Sequence, residues 1–303
     1  MNLIEKINKF KRERKAVILA HNYQRPEVQD IADYVGDSLG LALAASEIKA
    51  ELIVFCGVHF MAETAAIVCF DKKVIMPEIK AGCPMADMIT VEKLKKLKSE
   101  HPGAPVVCYV NTSAEIKAES DICCTSANSV KVVQSLPERE IIFVPDKYLG
   151  AYTQSQLPDK ELILADGYCP THAFIFPEHI KNAKVKHPQA LVLVHPECRP
   201  EVTALSDAVL STGGMLRYVK ESAADEFIIG TETGILYSLR KQNPGKTFYP
   251  ASEQAVCPNM KLTTPEKILW SLEDMATVVA VPEEIAGRAR RAIERMLKVG
   301  RQD

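Results

Sequence analysis

The sequence predicts an α/β protein of three pseudo-symmetric, three-layer α/β/α domains, with parallel sheets arranged around a central active site. Short apolar runs rich in β-branched residues alternate with amphipathic stretches, a pattern typical of parallel strands covered by helices. A Cys-Pro dipeptide occurs three times, at intervals of 86 and 88 residues, as Cys83-Pro84, Cys169-Pro170 and Cys257-Pro258. A repeat of that length indicates three copies of one structural unit.

The repeat also predicts where the three domains lie. We expect the first to comprise residues 1–88 with a tail of about residues 276–303, the second residues 89–174, and the third residues 175–275. The tail begins like a fourth copy at Thr277 and stops after one helix. We therefore expect the tail to pack back onto the first unit and to close the ring.

The apolar runs predict buried strands, and the stretches between them predict helices. Strands are expected at residues 16–20, 52–56, 106–110, 141–144, 162–165, 191–194 and 227–229. Helices are expected at residues 91–98, 177–186 and 265–273. Thr90 and Thr264 occupy positions suited to helix N-caps, while Pro177 and Pro265 suit first helical turns.

The composition excludes several classes of function. The 303 residues include 37 Lys and Arg against 39 Asp and Glu, without a basic block, so nucleic acid is not an expected partner. No apolar run is long enough to span a membrane, and residues 1–15 do not resemble a signal peptide. Nine cysteines in such a chain indicate reduced thiols and a cytoplasmic location. The sequence also lacks the glycine-rich loops that bind nucleotides.

Polar clusters follow the predicted strands at corresponding places in each repeat. The first strand of a repeat ends in His21-Asn22-Tyr23, Tyr109-Val110-Asn111 or His195-Pro196-Glu197. The second strand ends in a hydroxyl-containing segment, which is Gly36-Asp37-Ser38, Cys124-Thr125-Ser126 or Ser211-Thr212-Gly213. Ligand sites of parallel α/β sheets lie at the carboxyl ends of the strands, so we expect all of these segments to line one cavity.

The three repeated cysteines are candidate ligands of one metal centre. Thiolates favour zinc or iron–sulfur clusters, and structural zinc takes four protein ligands where only three repeat cysteines are present. A [4Fe–4S] cluster held by three thiolates leaves one iron free to act as a Lewis acid. Cys123 and Cys124 either line the cavity or lie in the core. The other cysteines are expected in the core, at Cys56, Cys69, Cys108 and Cys198.

The hydroxyl segments are candidates for binding anions. Ser38, Ser126 and the pair Ser211-Thr212 each lie between a strand end and a predicted helix start. Backbone N–H groups and the helix dipole favour negative charge at such places. Three such segments in register predict a substrate that carries several carboxylates or a phosphate.

The first-strand clusters supply candidate catalytic groups. His21 and His195 ordinarily titrate near neutrality and are candidates for proton transfer. Glu197 is a candidate general base if burial raises its pKa. Tyr23 and Tyr109 are candidate donors to a developing oxyanion. His172, three residues after Cys169, is expected to point into the same cavity.

Together these motifs resemble those of the quinolinate synthase family, over nearly the whole chain. The matching stretches are residues 20–24 (AHNYQ), 36–38 (GDS), 82–85 (GCPM), 109–111 (YVN), 124–128 (CTSAN), 169–172 (CPTH), 195–198 (HPEC), 211–213 (STG) and 230–232 (GTE). The resemblance implies three pseudo-symmetric α/β domains around a [4Fe–4S] cluster held by three cysteines. It implies condensation of iminoaspartate with dihydroxyacetone phosphate to quinolinate in NAD biosynthesis, with loss of phosphate and two waters.

The resemblance also implies residue roles and a partner. Cys83, Cys169 and Cys257 would hold the cluster, and Tyr23 and His172 would line the site. An aspartate-oxidising enzyme would supply the iminoaspartate. Some members carry a Cys-x-x-Cys-x-x-Cys run near the third ligand, where this chain has only Cys257. The implied substrate contacts are His21, Ser38, Tyr109, Asn111, Ser126, His195, Glu197 and Thr212.

Three alternatives stay open at this point. The hydroxymethylbutenyl diphosphate reductase type and the diphthamide-forming radical enzyme type share the arrangement of three repeats that each give one cysteine to a cluster. Neither type's local motifs are evident in this chain. The third alternative is a zinc-stabilised module that binds a ligand without catalysis.

Overall fold

Three four-stranded parallel sheets form the framework of the protein. The computed structural model describes residues 1–303 and confirms the predicted α/β fold. The first sheet contains β1 (Ala16–His21), β2 (Tyr34–Gly36), β3 (Leu52–Cys56) and β4 (Lys73–Ile75). The second contains β5 (Val106–Tyr109), β6 (Ile122–Cys124), β7 (Glu140–Val144) and β8 (Glu161–Leu164). The third contains β9 (Leu191–Val194), β10 (Ala208–Val209), β11 (Glu226–Gly230) and β12 (Thr247–Pro250).

Each sheet has the same strand order, with the first strand of the repeat between its second and third. The orders are β2-β1-β3-β4, β6-β5-β7-β8 and β10-β9-β11-β12, and every pairing between these strands is parallel. All seven predicted strands are present, with ends that differ by at most one residue. The short second and fourth strands complete each sheet.

Fifteen helices connect and cover the strands. Their order along the chain is α1 (Leu3–Glu13), α2 (Pro26–Ile31), α3 (Ser38–Glu47), α4 (His59–Val68), α5 (Val91–Glu100), α6 (Ala114–Ala118), α7 (Ser129–Gln134), α8 (Lys147–Gln156), α9 (Pro170–Ala173), α10 (Pro177–Lys186), α11 (Pro200–Thr203), α12 (Thr212–Glu221), α13 (Ile235–Gln242), α14 (Pro265–Asp274) and α15 (Glu283–Val299). None of them is both long enough and apolar enough to cross a membrane.

The predicted helix starts rest on side-chain caps. The Thr90 hydroxyl accepts the N–H of Lys93 at the start of α5, and the Thr264 hydroxyl accepts the N–H of Lys267 at the start of α14. Each contact satisfies a backbone donor that the first helical turn leaves without a partner.

A repeated aspartate contact shows how closely the three units correspond. An aspartate directly before the second strand accepts a backbone N–H from the first strand, 15 residues earlier in every unit. The three contacts are Ile18 N to Asp33 at 2.8 Å, Val106 N to Asp121 at 2.7 Å and Val192 N to Asp207 at 2.7 Å. The second strand is therefore tied to the first by the same local interaction three times.

The apolar core lies between these sheets and their helices. Phe55, Phe143 and Phe227 each lie on the third strand of a sheet and are almost completely buried. Burial of such a ring stabilises the fold by roughly 1.5–3 kcal/mol. The core therefore holds the sheets rigidly, which fixes the loops at their carboxyl ends.

Val278 and helix α15, which follow α14, contact the first and second units. Val278 forms an antiparallel bridge with Ile75 of β4. The following helix, α15, packs against α6 and β6 of the second unit and against α4 of the first. The domain boundaries themselves remain a prediction.

Two helical glycines provide a matched test of packing. A Cβ on Gly150 of α8 would collide with Leu164 and lie 3.0 Å from Phe143, whereas a Cβ on Gly287 of α15 would meet only Glu283 Oε1 at 3.8 Å. Replacing a helical glycine by alanine gains about 0.5–1 kcal/mol where space allows. We expect Gly287→Ala to stabilise the protein and Gly150→Ala to destabilise it by about 1–3 kcal/mol.

Urea unfolding followed by circular dichroism measures both changes. Equal stability of Gly150→Ala and the wild type would contradict the close helix–sheet packing at this position.

Candidate active site

One cavity of about 160 Å³ is lined by residues from all three units. It lies at the carboxyl ends of the sheets, because its wall includes the last residues of β1 and β5 and the residues that follow β9. All predicted site residues except Ser211 line it. They are His21, Tyr23, Ser38, Cys83, Tyr109, Asn111, Ser126, Cys169, His172, His195, Glu197, Thr212 and Cys257.

Ser211 is the predicted residue that does not line the cavity. It is the N-cap of α12, and its hydroxyl accepts the N–H of Gly214 at 3.0 Å. The same hydroxyl donates to Asp37 Oδ2 at 3.3 Å. Thr212, the next residue, is the one that faces the cavity.

Each repeated cysteine stands at the start of a short helical turn. Cys169 is the N-cap of α9, and Cys83 and Cys257 shortly precede 3₁₀ turns at Ala86–Met88 and Asn259–Lys261. Burial raises the pKa of the Cys83 thiol to about 12, and it also raises the pKa values of Cys169 and Cys257. Backbone N–H groups two or three residues further on oppose that effect at all three sulfurs. The positive charge of a metal would complete the stabilisation of the thiolates.

The donor set fits a metal centre. Three thiols, one from each unit, share the cavity wall. They are close enough to interact electrostatically, since Cys83 raises the pKa of Cys169 and Cys257 raises the pKa of Cys83. Ligand atoms of Cys169, His172 and Glu197 also lie within 4.8 Å of one another. This second combination is one that the sequence did not predict. Both combinations make a metal cofactor chemically reasonable at this site.

Glu197 lies at the centre of the polar side chains that line the cavity. Its Oε1 accepts the Tyr109 hydroxyl at 2.6 Å and lies 3.5 Å from Asn111 Nδ2. Its Oε2 lies 2.7 Å from His172 Nδ1 and 3.8 Å from His195 Nδ1. The buried carboxylate therefore accepts a hydrogen bond from Tyr109 and lies close to two imidazole rings and an amide.

The condition set above for Glu197 as a general base, a pKa raised by burial, is not met in the free site. Burial acts in that direction, but His172, His195 and the Tyr109 hydrogen bond outweigh it and lower the pKa to about 2. Desolvation alone disfavours a carboxylate, whereas hydrogen bonds to its oxygens favour it. Glu197 is therefore ionised in the free site.

His21 and His195 share one backbone arrangement. The Nδ1 of His21 accepts the N–H of Tyr23 at 3.2 Å, and the Nδ1 of His195 accepts the N–H of Glu197 at 3.3 Å. The proton of each neutral ring therefore resides on Nε2. Burial lowers the pKa of His21 to about 4 and that of His195 to about 3. Both rings are hydrogen-bond donors at neutral pH rather than groups that titrate there.

Tyr23 belongs to a hydrogen-bonded group with two other residues. Its hydroxyl contacts Thr231 Oγ1 at 2.5 Å and lies 3.4 Å from His172 Nε2. His172 Nε2 also lies 2.7 Å from Thr231 Oγ1. Thr231 belongs to the motif at residues 230–232, but the sequence does not predict a contact for it. These contacts orient the His172 ring, whose Nδ1 lies 3.1 Å from Cys169 Sγ.

Two further carboxylates on the cavity wall were missed. Glu232 is fully buried, accepts the N–H of Cys257 at 3.1 Å and pairs with Lys261 at 2.9 Å. It therefore positions the third cysteine loop. Asp37 is the N-cap of α3 and pairs with Arg301. Both residues belong to motifs named above, but their partners, Lys261 and Arg301, lie outside every such motif.

Comparison with known proteins gives one family. The model of the family described as quinolinate synthetase A protein matches residues 5–298. A protein named quinolinate synthase from Dehalococcoides mccartyi strain 195 is 63% identical over 97% of each chain. Proteins of the same name from Methanosarcina barkeri and Thermodesulfovibrio yellowstonii are 57% and 55% identical, over 98% and 97% of this chain and 97% of each relative.

The lowered pKa of His21 predicts a pH dependence of stability. The unfolded chain binds a proton near the ordinary histidine pKa of about 6.5, whereas the folded protein binds it only near pH 4. Stability is therefore complete above about pH 6.5 and falls by up to about 1.4 kcal/mol per pH unit below it. We expect His21→Gln, which keeps an acceptor for the Tyr23 N–H, to lose less stability than the wild type between pH 7 and pH 5.

The measurement is the urea-unfolding free energy of the reduced, metal-free protein at both pH values. The same decrease in the variant and the wild type would contradict a buried neutral His21.

Proposed function

The chain belongs to the quinolinate synthetase A family, as its motifs predicted, and we propose that it is a quinolinate synthase that condenses iminoaspartate with dihydroxyacetone phosphate. Phosphate and two waters leave, and the product serves NAD biosynthesis. One observation carries the proposal: a single cavity combines one Cys-Pro thiol from each unit with a wall of neutral imidazoles, phenols and a buried carboxylate. The named relatives, which are enzymes, support it.

We assign a [4Fe–4S] cluster to Cys83, Cys169 and Cys257. Three sulfur donors suit an iron–sulfur centre, since structural zinc takes four protein ligands. When bound, the cluster would supply a Lewis acid at the iron that has no protein ligand. Glu232 and the backbone N–H groups after each cysteine would hold the three loops for this purpose.

Substrate binding falls to the hydroxyl segments and the two fixed imidazoles. Ser38, Ser126 and Thr212 come from three different units and face the same cavity. The Nε2–H groups of His21 and His195 are free to donate to carboxylate or phosphate oxygens, apart from the contact of His195 with Ser126 at 3.2 Å. Several donors converging on one cavity suit a substrate pair that carries two carboxylates and a phosphate.

Proton transfer centres on Glu197. A carboxylate with a pKa near 2 is a weak base, but the like charges of bound substrate carboxylates would raise that pKa toward the useful range. Glu197 would then accept a proton from the carbon beside the imine, while the Tyr109 hydroxyl stays hydrogen-bonded to Oε1. Burial of the site would exclude water and protect the imine from hydrolysis.

The proposal includes a cellular setting. All nine cysteines are unpaired, which agrees with a reducing compartment, and we place the enzyme in the cytoplasm. Iminoaspartate hydrolyses in water, so an aspartate-oxidising enzyme would have to supply it continuously.

The first test is anaerobic reconstitution with iron and sulfide, followed by an assay for quinolinate. We expect about four irons and four sulfides per chain and formation of quinolinate from the two substrates. Cys83→Ser, Cys169→Ser and Cys257→Ser should each lose most of the iron and the activity. Cys56→Ala, a buried cysteine away from the cavity, should retain both.

Zinc without sulfide in the purified protein would instead favour a non-catalytic binding module. A fully loaded protein that forms no quinolinate would overturn the proposed reaction.

The second test concerns Glu197. Glu197→Gln keeps the shape of the side chain and leaves all three cysteines in place, so the iron content should be unchanged. Turnover should fall by roughly 10²–10⁴-fold, the usual contribution of a general base. The exposed Glu51→Gln variant is the control and should behave as the wild type. Unchanged turnover in Glu197→Gln would refute its role as base.

A further inference from the structure

The segment Arg301–Asp303 contacts all three units behind the hydroxyl segments. Arg301 pairs with Asp37 of the first unit. The N–H of Gln302 donates to the carbonyl of Ala127 in the second unit at 2.8 Å. Asp303 Oδ2 accepts the N–H of Ser211 in the third unit at 2.9 Å. The segment thus lies where the starts of α3, α7 and α12 approach one another.

The contact between Arg301 and Asp37 is bidentate and mostly buried. Nη1 of Arg301 donates to Oδ2 of Asp37 at 2.7 Å, and Nη2 donates to Oδ1 at 2.5 Å. Asp37 is 5% exposed and lines the cavity directly beside Ser38. Burial acts to raise the pKa of Asp37, but Arg301 and the N–H of Gly40 hold it below its ordinary value. The cavity wall therefore contains an ionised carboxylate, and its charge is balanced by Arg301, which does not itself line the cavity.

Glycines leave the space that this pair occupies. A Cβ on Gly213 would lie 2.5 Å from Asp37 Oδ2 and 2.9 Å from Arg301 Nη1, and a Cβ on Gly214 would collide with Asp303. Both glycines lie in the first turn of α12, where glycine is a poor helix former. Their presence is explained by the close approach of the charged groups rather than by the helix.

We propose that Arg301 is a positioning residue of the active site: it neutralises Asp37, so that this carboxylate does not repel the anionic groups of the substrates, and it holds the start of α3 with Ser38. The identity of those substrates rests on the proposed function. A buried carboxylate without its partner would oppose an anion bound a few ångströms away. Arg301 itself does not line the cavity, so its effect passes through Asp37.

A purely structural role is the competing explanation, since the segment also joins the three units. The two explanations differ in what happens when Asp37 is neutralised as well. If the role of Arg301 is to neutralise Asp37, then Asp37→Asn removes the repulsion and restores substrate binding to an Arg301→Gln protein. Asn can still cap α3 through its side-chain oxygen. If Arg301 only holds the units together, the second substitution cannot help.

The test compares Arg301→Gln, Arg301→Lys, Asp37→Asn and the double variant as cluster-loaded full chains. Steady-state kinetics give kcat, KM for dihydroxyacetone phosphate and KM for iminoaspartate generated from oxaloacetate and ammonia. Arg301→Gln should raise at least one KM by roughly tenfold or more, with kcat changed by less than about threefold. Arg301→Lys should raise KM less than Arg301→Gln does, because lysine keeps the positive charge but lacks the planar guanidinium that makes the bidentate contact. The double variant should return to within about threefold of Asp37→Asn.

Wild-type KM values for both substrates in Arg301→Gln would overturn the inference. So would a double variant that is as impaired as Arg301→Gln. Should Arg301→Gln fail to fold, the comparison of Arg301→Lys with the double variant still distinguishes the explanations.

A binding measurement separates this inference from the proposed reaction. The same proteins are titrated with pyridine-2,3-dicarboxylate by calorimetry, which requires no turnover. The order of the dissociation constants should follow that of KM. A wild type that binds the dicarboxylate but makes no quinolinate refutes the reaction alone, and equal affinities across the variants refute the role of Arg301 alone. A wild type that neither binds nor reacts refutes both.

Discussion

The carboxyl ends of three parallel sheets face one enclosed space, and this constraint determines most of the site. Loops at these ends must bury polar groups, and a buried charge is tolerated only with a partner. Glu197 has His172 and Tyr109, Glu232 has Lys261, and Asp37 has Arg301. The partners differ in kind, which gives each carboxylate a different chemical character inside one cavity.

The three units repeat their scaffold but not their chemistry. The aspartate contact between first and second strands, the Cys-Pro turn and the hydroxyl segment recur in every unit. The residues at the ends of the first strands do not, since His21, Tyr109 and His195 occupy those places. A symmetric scaffold therefore places equivalent sulfurs and different first-strand side chains around one cavity.

The sequence predicted what depends on local pattern and repeat register, and it missed what depends on distant partners. Strands, helix caps and the meeting of three cysteines at one cavity followed from apolar runs and from spacing. Ser211 looked equivalent to Ser38, yet its hydroxyl turns to cap α12. The lowered pKa of Glu197 depends on His172, and the ion pair of Asp37 depends on a residue 264 positions away. No periodicity encodes such contacts.

The charge balance of the cavity links metal binding to substrate binding. Without a metal, the three repeat cysteines are neutral thiols because partial burial raises their pKa values, and the imidazoles of His21 and His195 are neutral because burial lowers theirs. Metal binding must release the thiol protons, as thiolates are the ligands. The three thiolates formed in this way offset the positive charge of the metal, so the loaded centre adds no net positive charge to the cavity. Attraction of a substrate with several negative groups therefore depends on neutral donors, such as the Nε2–H groups of His21 and His195, and on an open coordination position of the metal, rather than on a net positive cavity.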